Sequence, residues 1–244
     1  MNDWFNEIAA GCELPASAAW DLLDSGFAVI QGVVATERLA QLADAYDLAV
    51  ATAAAPDLNI GSSTTRLHDL VNRGAEFDPL YISQPILAAC HCVIGQSFKL
   101  SSLLARTLRP YSQAQPLHVD FRSDAEGWPM LGFIVMVDDF RQDNGATRFV
   151  PGTHKSLAIP SDSMKDPTSD HEDQVLACGM AGSVIIYIGS VWHGHTANSS
   201  DKPRRSIQGA YIRREAQSSV NLPGRMRPET LARISPLAKY VLAV

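Results

Sequence analysis

The chain has 244 residues, of which 46% are hydrophobic and 19% are charged. This composition is typical of a globular protein and excludes a disordered or collagen-like chain. The formal net charge is −6 and no extended basic cluster occurs, so the sequence gives no support for a nucleic-acid partner.

The N-terminal part of the chain shows helix and strand patterns in turn. Residues 16–24 predict a short helix and residues 26–34 a strand rich in β-branched side chains. Thr36 is the expected N-cap of an amphipathic helix that runs to about residue 54. Residues 58–96 are irregular, apart from a predicted helix over residues 85–94.

After residue 99 the pattern changes to short β-like runs separated by Gly, Pro, Asn and Asp. These runs cover residues 100–109, 117–121, 130–137, 147–150, 183–188 and 204–212. Many short strands at such spacing predict a sandwich or barrel. The polar stretch 155–172 predicts a surface loop or lid, and Pro228 and Pro236 each begin a short C-terminal helix.

The element order predicts a single α+β domain, mainly β, over residues 1–244. We expect a double-stranded β-helix, which is a jelly roll of cupin-like type, with flanking N-terminal and C-terminal helices. The helical flank is expected over about residues 1–98, the β-helix core over about 99–213 and the C-terminal helices over about 226–244.

The N-terminus has acids where a signal peptide has basic residues, and no stretch approaches about 18 uninterrupted apolar residues. The four cysteines include no CxxC pair, which favours free thiols in a reducing compartment. We therefore expect a cytoplasmic protein without a membrane partner.

His118 and Asp120 are the first candidate metal ligands. They lie two residues apart in a β-like run, so both side chains point to the same face. One imidazole and one carboxylate, joined by a second imidazole, form the 2-His-1-carboxylate group of non-haem iron(II) sites. His193, which follows the apolar run 183–188, can supply that imidazole. By itself the His-x-Asp pair is weak evidence, because a surface histidine beside a solvated acid gives the same pattern.

Arg204 lies eleven positions after His193 and begins a run in which Arg204, Ser206 and Gln208 share one face. A buried arginine needs an anionic partner, and its guanidinium fork matches a carboxylate. The distal carboxylate of 2-oxoglutarate would be such a partner, with the Ser206 hydroxyl as an added donor. The alternative is that Arg204 and Arg205 are exposed basic residues after a turn.

The string Asp143-Asn-Gly-Ala-Thr-Arg-Phe-Val-Pro-Gly-Thr-His154-Lys resembles a signature of the phytanoyl-CoA dioxygenase family of iron(II)/2-oxoglutarate oxygenases. The His-x-Asp pair, His193 followed by Asn198, and Arg204 also match this family in order and approximate spacing. The strand and helix near the N-terminus resemble the family's opening, so the likeness covers nearly the whole chain.

The resemblance implies that His118, Asp120 and His193 bind iron(II) and that Arg204 binds the C5 carboxylate of 2-oxoglutarate. Thr147 and Gln115 are further candidates for binding 2-oxoglutarate, although a strand hydroxyl and an exposed amide would look the same.

His195 lies two residues past the distal ligand and departs from the family, where small or hydroxyl residues are common. It could face the substrate, support the ligands or compete as a ligand.

The expected reaction is oxidation, most simply hydroxylation, of a C–H bond in a small-molecule substrate by O₂ and 2-oxoglutarate, with release of succinate and CO₂. One alternative is a zinc hydrolase that uses His118, His193 and His195 on the same barrel. Another is a non-catalytic jelly-roll module that binds a small molecule. The sequence predicts neither the substrate nor the oligomeric state. Pocket residues are expected in segments 58–96, 121–128 and 155–172, with Arg66, His68, Tyr81 and Trp128 as candidate contacts.

Overall fold

The computed structural model describes residues 3–244, so residues 1 and 2 of the predicted helical flank lie outside the described part. Within that range the helices are α1 Trp4–Gly11, α2 Ala16–Ser25, α3 Thr36–Ala51, α4 Asp78–Tyr81, α5 Gln84–Ile94, α6 Pro160–Ser163, α7 Leu222–Arg225, α8 Pro228–Arg233 and α9 Pro236–Leu242. The strands are β1 Phe27–Ile30, β2 Leu58–Ile60, β3 Thr64–Leu67, β4 Phe98–Leu108, β5 Met130–Met136, β6 Thr147–Val150, β7 Val175–Ala177, β8 Val184–Ile188, β9 Trp192–His195 and β10 Arg204–Arg213.

The strands form two antiparallel sheets. In the described chain, the larger sheet is seven-stranded with the order β1-β8-β5-β10-β4-β3-β2, and the smaller one is three-stranded with the order β7-β6-β9. The segment that carries His118 lies beside β9, to which it is joined by a bridge between His118 and His193. The predicted fold class, a mainly β jelly roll with flanking helices, is confirmed.

The two faces of the larger sheet have different neighbours because side chains alternate along each strand. Its outer face packs under the N-terminal helices and contributes Leu103, Phe133, Ile207 and Tyr211 to the largest buried cluster. Its inner face contributes Ile134 and Ile185 to a second cluster that includes Phe149 of the smaller sheet. Each fully buried side chain of this size contributes roughly 1.5–3 kcal/mol to folding.

A β-bulge interrupts the pairing of β10 with β4. Ala210 lies opposite Ser102, whereas Tyr211 lies opposite Leu100, so Ser101 is the extra residue of β4. Because of this extra residue, Ser101 and Ser102 both line the interior of the jelly roll, where strict alternation would turn one of them away.

Several local expectations were wrong. Thr36 is the first residue of α3 and not its cap; Ala35 occupies the cap position without a side-chain hydrogen bond. Residues 117–121 form no regular strand. Strands β2, β3, β7 and β9 were not predicted; each has at most four residues and depends on a partner strand.

No helix in the described part of the chain combines the length and the apolar character needed to cross a membrane.

Candidate active site

A cavity of about 660 Å³ lies between the two sheets. The side chains that line it come from both sheets, from the segment that carries His118 and Asp120, and from residues 216–219 after β10. The cavity therefore brings together residues that are far apart in the sequence.

His118, Asp120 and His193 meet at this cavity, and their ligand atoms all lie within 4.8 Å of one another. Nε2 of His118 is 3.6 Å from Oδ1 of Asp120, and Nε2 of His193 is 3.5 Å from Oδ2. Two nitrogens and one carboxylate thus converge on one point, which is the donor set that suits non-haem iron(II).

The two histidines are oriented by backbone carbonyls. Nδ1 of His118 donates to the carbonyl of Pro116 at 3.0 Å, and Nδ1 of His193 donates to that of Val191 at 2.9 Å. We infer these tautomers from the acceptors, because a carbonyl can only accept. Each ring therefore has its lone pair on Nε2, on the side that a metal would occupy. The Gln115 amide is the present partner of Nε2 of His118, at 3.4 Å.

Asp120 is held by Tyr187, whose hydroxyl donates to Oδ2 at 2.7 Å. Tyr187 lies opposite Gly132 in the β8–β5 pairing, and a Cβ at position 132 would overlap the tyrosine ring. Burial raises the pKa of Asp120, but its interactions with His193, His118 and Tyr187 outweigh the effect of burial. The pKa of Asp120 therefore lies well below its usual range, so the carboxylate is ionised.

Arg204 is buried with 2% of its surface exposed, and its guanidinium lies 3.8 Å above the ring of Phe140. Within residues 3–244, its Nε and Nη1 have no hydrogen-bond partner. Burial lowers the pKa of Arg204 to about 9, and the nearby Arg106 adds to the shift. Buried donors without an acceptor are costly, and a carboxylate in the cavity would satisfy them. The site therefore fits the C5 carboxylate of 2-oxoglutarate.

Arg205 points to the opposite face of β10. Its Nη2 donates to Asp138 at 2.7 Å and its Nη1 to Asp47 at 2.8 Å. The two neighbouring arginines therefore differ in their partners. Arg205 is paired with acids on the outer face of the sheet, whereas Arg204, on the inner face, has no acidic partner in the described chain.

The remaining candidates for binding 2-oxoglutarate differ in position. Gln115 and Thr147 line the cavity, and the Gln115 side-chain oxygen accepts from Nη2 of Arg106 at 3.0 Å. Ser206 is fully buried, and its hydroxyl donates to the backbone carbonyl of Arg106 at 3.2 Å. Gln115 and Thr147 therefore belong to the cavity wall, whereas Ser206 does not and its hydroxyl already has an acceptor.

His195 lines the cavity but does not belong to the group of converging ligand atoms found among the described residues. Its Nδ1 donates to the carbonyl of Thr196 at 2.9 Å. Burial and the charge of Arg106 lower the pKa of His195 to about 3, so this ring is neutral at physiological pH.

Three residues of this region were missed in the sequence. Arg106 and Tyr187 both line the cavity; each is a polar side chain within an apolar strand, which is a signal like that of Arg204. Arg148 is fully buried and donates to Asp170 at 2.9 Å and to the carbonyl of Gln115 at 3.0 Å. It ties the 166–174 segment to the chain just before His118.

The predicted pocket segments were only partly right. Arg66 and Phe121 line the cavity, whereas His68, Tyr81 and Trp128 do not. The hydroxyl of Tyr81 instead donates to Asp78, and the indole of Trp128 donates to the carbonyl of His154. The loop 155–172 contributes no lining residue; residues 216–219 do so in its place.

A jelly roll that holds two histidines, one aspartate and a buried arginine around one cavity defines the class of mononuclear metal-dependent oxygenases. The family model for phytanoyl-CoA dioxygenase (PhyH) matches residues 22–206. The chain therefore belongs to the phytanoyl-CoA dioxygenase family, and the resemblance noted in the sequence is confirmed.

Individual relatives agree with this assignment. The chain is 34% identical over 108 residues to dioxygenase cdmA of Talaromyces verruculosus, covering 41% of this chain and 35% of cdmA. It is 27% identical over 244 residues to the multifunctional dioxygenase prhA of Penicillium brasilianum, covering 88% of this chain and 81% of prhA. The chain spans only 35% to 54% of the length of the first four curated relatives that it matches.

Among solved structures, the fold is similar to that of the epimerase SnoN, solved with Fe3+, α-ketoglutarate and nogalamycin RO. The TM-score is 0.67 at 20% sequence identity, and the match covers 81% of this chain and 82% of SnoN.

Proposed function

We propose that this protein hydroxylates a C–H bond of a small organic substrate, with O₂ and 2-oxoglutarate as co-substrates and with release of succinate and CO₂. In this proposal His118, Asp120 and His193 hold iron(II), and Arg204 binds the C5 carboxylate of 2-oxoglutarate. Gln115 and Thr147 contribute further contacts to the co-substrate. A small-molecule substrate agrees with SnoN, which has been solved with nogalamycin RO.

The observation that supports this proposal most strongly is that the metal-ligand group and the buried Arg204 lie in one cavity. The metal-ligand group and the unpartnered guanidinium of Arg204 line the same space of about 660 Å³. A metal site without the arginine would fit many enzymes, and a buried arginine alone would fit many anions. Together they match a metal-bound dicarboxylate.

Iron(II), when bound with 2-oxoglutarate and O₂, supplies the oxidising power for C–H cleavage. The chain's own part is to position the reactants. Arg204 fixes one end of the co-substrate through its guanidinium fork. Tyr187 fixes the orientation of Asp120, and the backbone carbonyls of Pro116 and Val191 fix the two imidazoles. Phe121, Met130 and Ile134 add apolar surface to the cavity wall, which disfavours water on the substrate side.

The zinc hydrolase alternative receives less support. It requires His195 as a third histidine, and this residue does not belong to the group of ligand atoms among the described residues. It also leaves the buried Arg204 without an anion. A non-catalytic binding module would have no use for a complete set of ligand atoms.

The proposal is tested by spectroscopy and by product analysis. Without O₂, the protein with iron(II) and 2-oxoglutarate should show a visible charge-transfer band that 2-oxoglutarate alone does not give. On admission of O₂, succinate should form only when iron(II) is present. Activity with zinc(II), or no 2-oxoglutarate binding to the iron-loaded protein, would contradict the proposal.

A further inference from the structure

The active-site cavity carries more positive charge than the proposed co-substrate can neutralise. Arg66, Arg106 and Arg204 line it, and Asp120 is the one acidic residue of its lining among the described residues. With neutral histidines, three guanidinium groups against one carboxylate leave an excess of two positive charges. A divalent metal and the dianion of 2-oxoglutarate would cancel each other, so this excess would remain after both had bound.

The pairing of two strands places Arg66 next to Arg106. They are directly opposite each other in the antiparallel pairing of β3 with β4, an arrangement that brings Cβ atoms to about 5 Å and is destabilising for like charges. The ion pairs found in the described chain involve other residues than Arg66, Arg106 and Arg204. No acidic side chain of the described protein therefore forms an ion pair with either of these two arginines.

Arg106 is the more buried of the two, with 8% of its surface exposed. Nη2 donates to Gln115 at 3.0 Å and Nη1 to Gln208 at 3.4 Å, but Nε has no partner among residues 3–244. Burial and the charge of Arg66 lower the pKa of Arg106 to about 10. A cation that is buried and only partly hydrogen-bonded is costly to fold, which indicates that a ligand completes the site.

A second cavity of about 440 Å³ adjoins the first on this side. The two cavities share Arg66, Arg106, Gln115 and His195. The rest of the second lining is polar or small and, within the described chain, has no acid; it includes Asn59, Ser62, Ser63, Thr64 and Gln113. These hydroxyl and amide groups can donate hydrogen bonds to an anion.

We infer that the substrate carries an anionic group, a carboxylate or a phosphate, which binds at Arg66 and Arg106 in the adjoining cavity while the carbon to be oxidised lies at the metal. This inference rests on the proposed function and names the substrate class of the same site. Arg204 serves the co-substrate, and the other two arginines serve the substrate. The subsite selects anions because a neutral analogue would leave both guanidinium groups without an anionic partner.

The test uses the whole protein loaded with nickel(II), which takes the place of iron(II) without turnover, and saturated with 2-oxoglutarate. Calorimetry measures the binding of two matched probe pairs, benzoate against benzamide and phenyl phosphate against phenol. The anion of at least one pair should bind at least about tenfold more tightly than its neutral partner, as expected for a charge-assisted hydrogen bond. The pair with the larger ratio identifies the preferred anion.

Arg66→Gln should reduce this preference to about twofold or less while the affinity for 2-oxoglutarate stays within about twofold of wild type. Arg66→Lys, which keeps the charge, should retain part of the preference. Arg109→Gln is the matched control, because it removes a nearby positive charge that lines neither cavity, and it should leave the preference unchanged.

Equal affinity for both members of both pairs in the wild type would overturn the inference. So would a preference that persists in Arg66→Gln, or a tenfold loss of 2-oxoglutarate binding in that variant, which would assign Arg66 to the co-substrate. Failure of the wild-type protein to bind 2-oxoglutarate would instead contradict the proposed function, and with it this inference.

Discussion

The two faces of the seven-stranded sheet are built from the same strands, but their polar side chains differ in whether they have partners within the protein. On the outer face, Arg205 is paired with Asp138 and Asp47, and the hydroxyl of Tyr211 donates to the carbonyl of Tyr81. On the inner face, Arg204 keeps two nitrogens without a partner among the described residues, and the hydroxyl of Tyr187 is directed at Asp120.

This difference separates side chains that stabilise the fold from side chains that prepare a site. Polar groups on the outer face are satisfied by other parts of the chain, so they contribute to stability alone. Cations on the inner face are buried at a cost that a bound anion would offset. Substitutions at matched positions on the two faces should therefore change different measurements.

The largest effect is expected for His193→Ala. It removes one of three proposed metal ligands, and even changes to residues behind the ligands typically cost 10–100-fold in metal affinity. We expect iron(II) affinity to fall by more than about a hundredfold, with loss of the charge-transfer band and of succinate formation. His68→Ala is the control, since His68 lies outside the cavity. Full activity of His193→Ala would remove the ligand assignment.

The next effect concerns Arg204→Met. Loss of the guanidinium would leave the C5 carboxylate of 2-oxoglutarate buried and unpaired, which costs about 2–5 kcal/mol by analogy with buried charge pairs at interfaces. The dissociation constant for 2-oxoglutarate should rise about thirtyfold or more, while nickel(II) binding persists. Calorimetric titration of the nickel-loaded protein measures both.

Arg205→Met is the matched control for that titration, because it removes the same charge from the outer face. Its affinity for 2-oxoglutarate should stay within about twofold of wild type. If Arg205→Met lost binding and Arg204→Met kept it, the roles of the two faces of β10 would be reversed.

The sequence predicts those parts of the site that depend on local patterns, and it does not predict those that depend on the pairing of distant strands. The two-residue spacing of His118 and Asp120 and the alternation in residues 204–208 are local patterns, so the convergence at the metal and the inward direction of Arg204 could be predicted. The pairing of Arg66 with Arg106 could not, because it requires β3 to pair with β4 in one particular register. A shift of one residue would turn Arg66 away.

The pocket walls were predictable only in part for a similar reason. Residues 216–219 line the cavity because the chain after β10 folds back onto β4, where the backbone N–H of Ser219 donates to the Ser101 hydroxyl. No local pattern in this polar segment indicates such a path. The four-residue β9 carries His193 but is too short to show a strand period. Tertiary pairing decides such elements, and composition does not.

A smaller effect is expected for Tyr187→Phe. The ring is retained, so the fold should persist, but Asp120 loses the hydrogen bond that orients it. Metal affinity should fall about tenfold, as measured by calorimetric titration with nickel(II).

Tyr211→Phe is the comparison on the outer face. It should leave metal affinity unchanged and lower the free energy of unfolding by about 1–3 kcal/mol, because the buried carbonyl of Tyr81 loses its donor. Equal metal affinity in Tyr187→Phe and wild type would mean that Tyr187 only fills space.

The smallest effect is the change in stability of Arg204→Met and Arg205→Met without metal or 2-oxoglutarate. The pKa of Arg204 is lowered to about 9 by burial and by Arg106, so its charged form is less favourable in the folded protein than in the unfolded chain. This cost is present at neutral pH, where the group is protonated in both states.

Replacing buried charges by apolar side chains of similar volume often stabilises by 1–4 kcal/mol, so Arg204→Met should raise the melting temperature by about 2–4 °C for a gain of about 1 kcal/mol. Arg205→Met breaks two partly exposed ion pairs and should lower the melting temperature by a similar amount, for a loss of about 1 kcal/mol. Calorimetric scans of the ligand-free proteins measure both shifts. A fall in both variants would mean that the stacking of Arg204 on Phe140 outweighs its desolvation, and Arg204 would then stabilise the fold like the residues of the outer face.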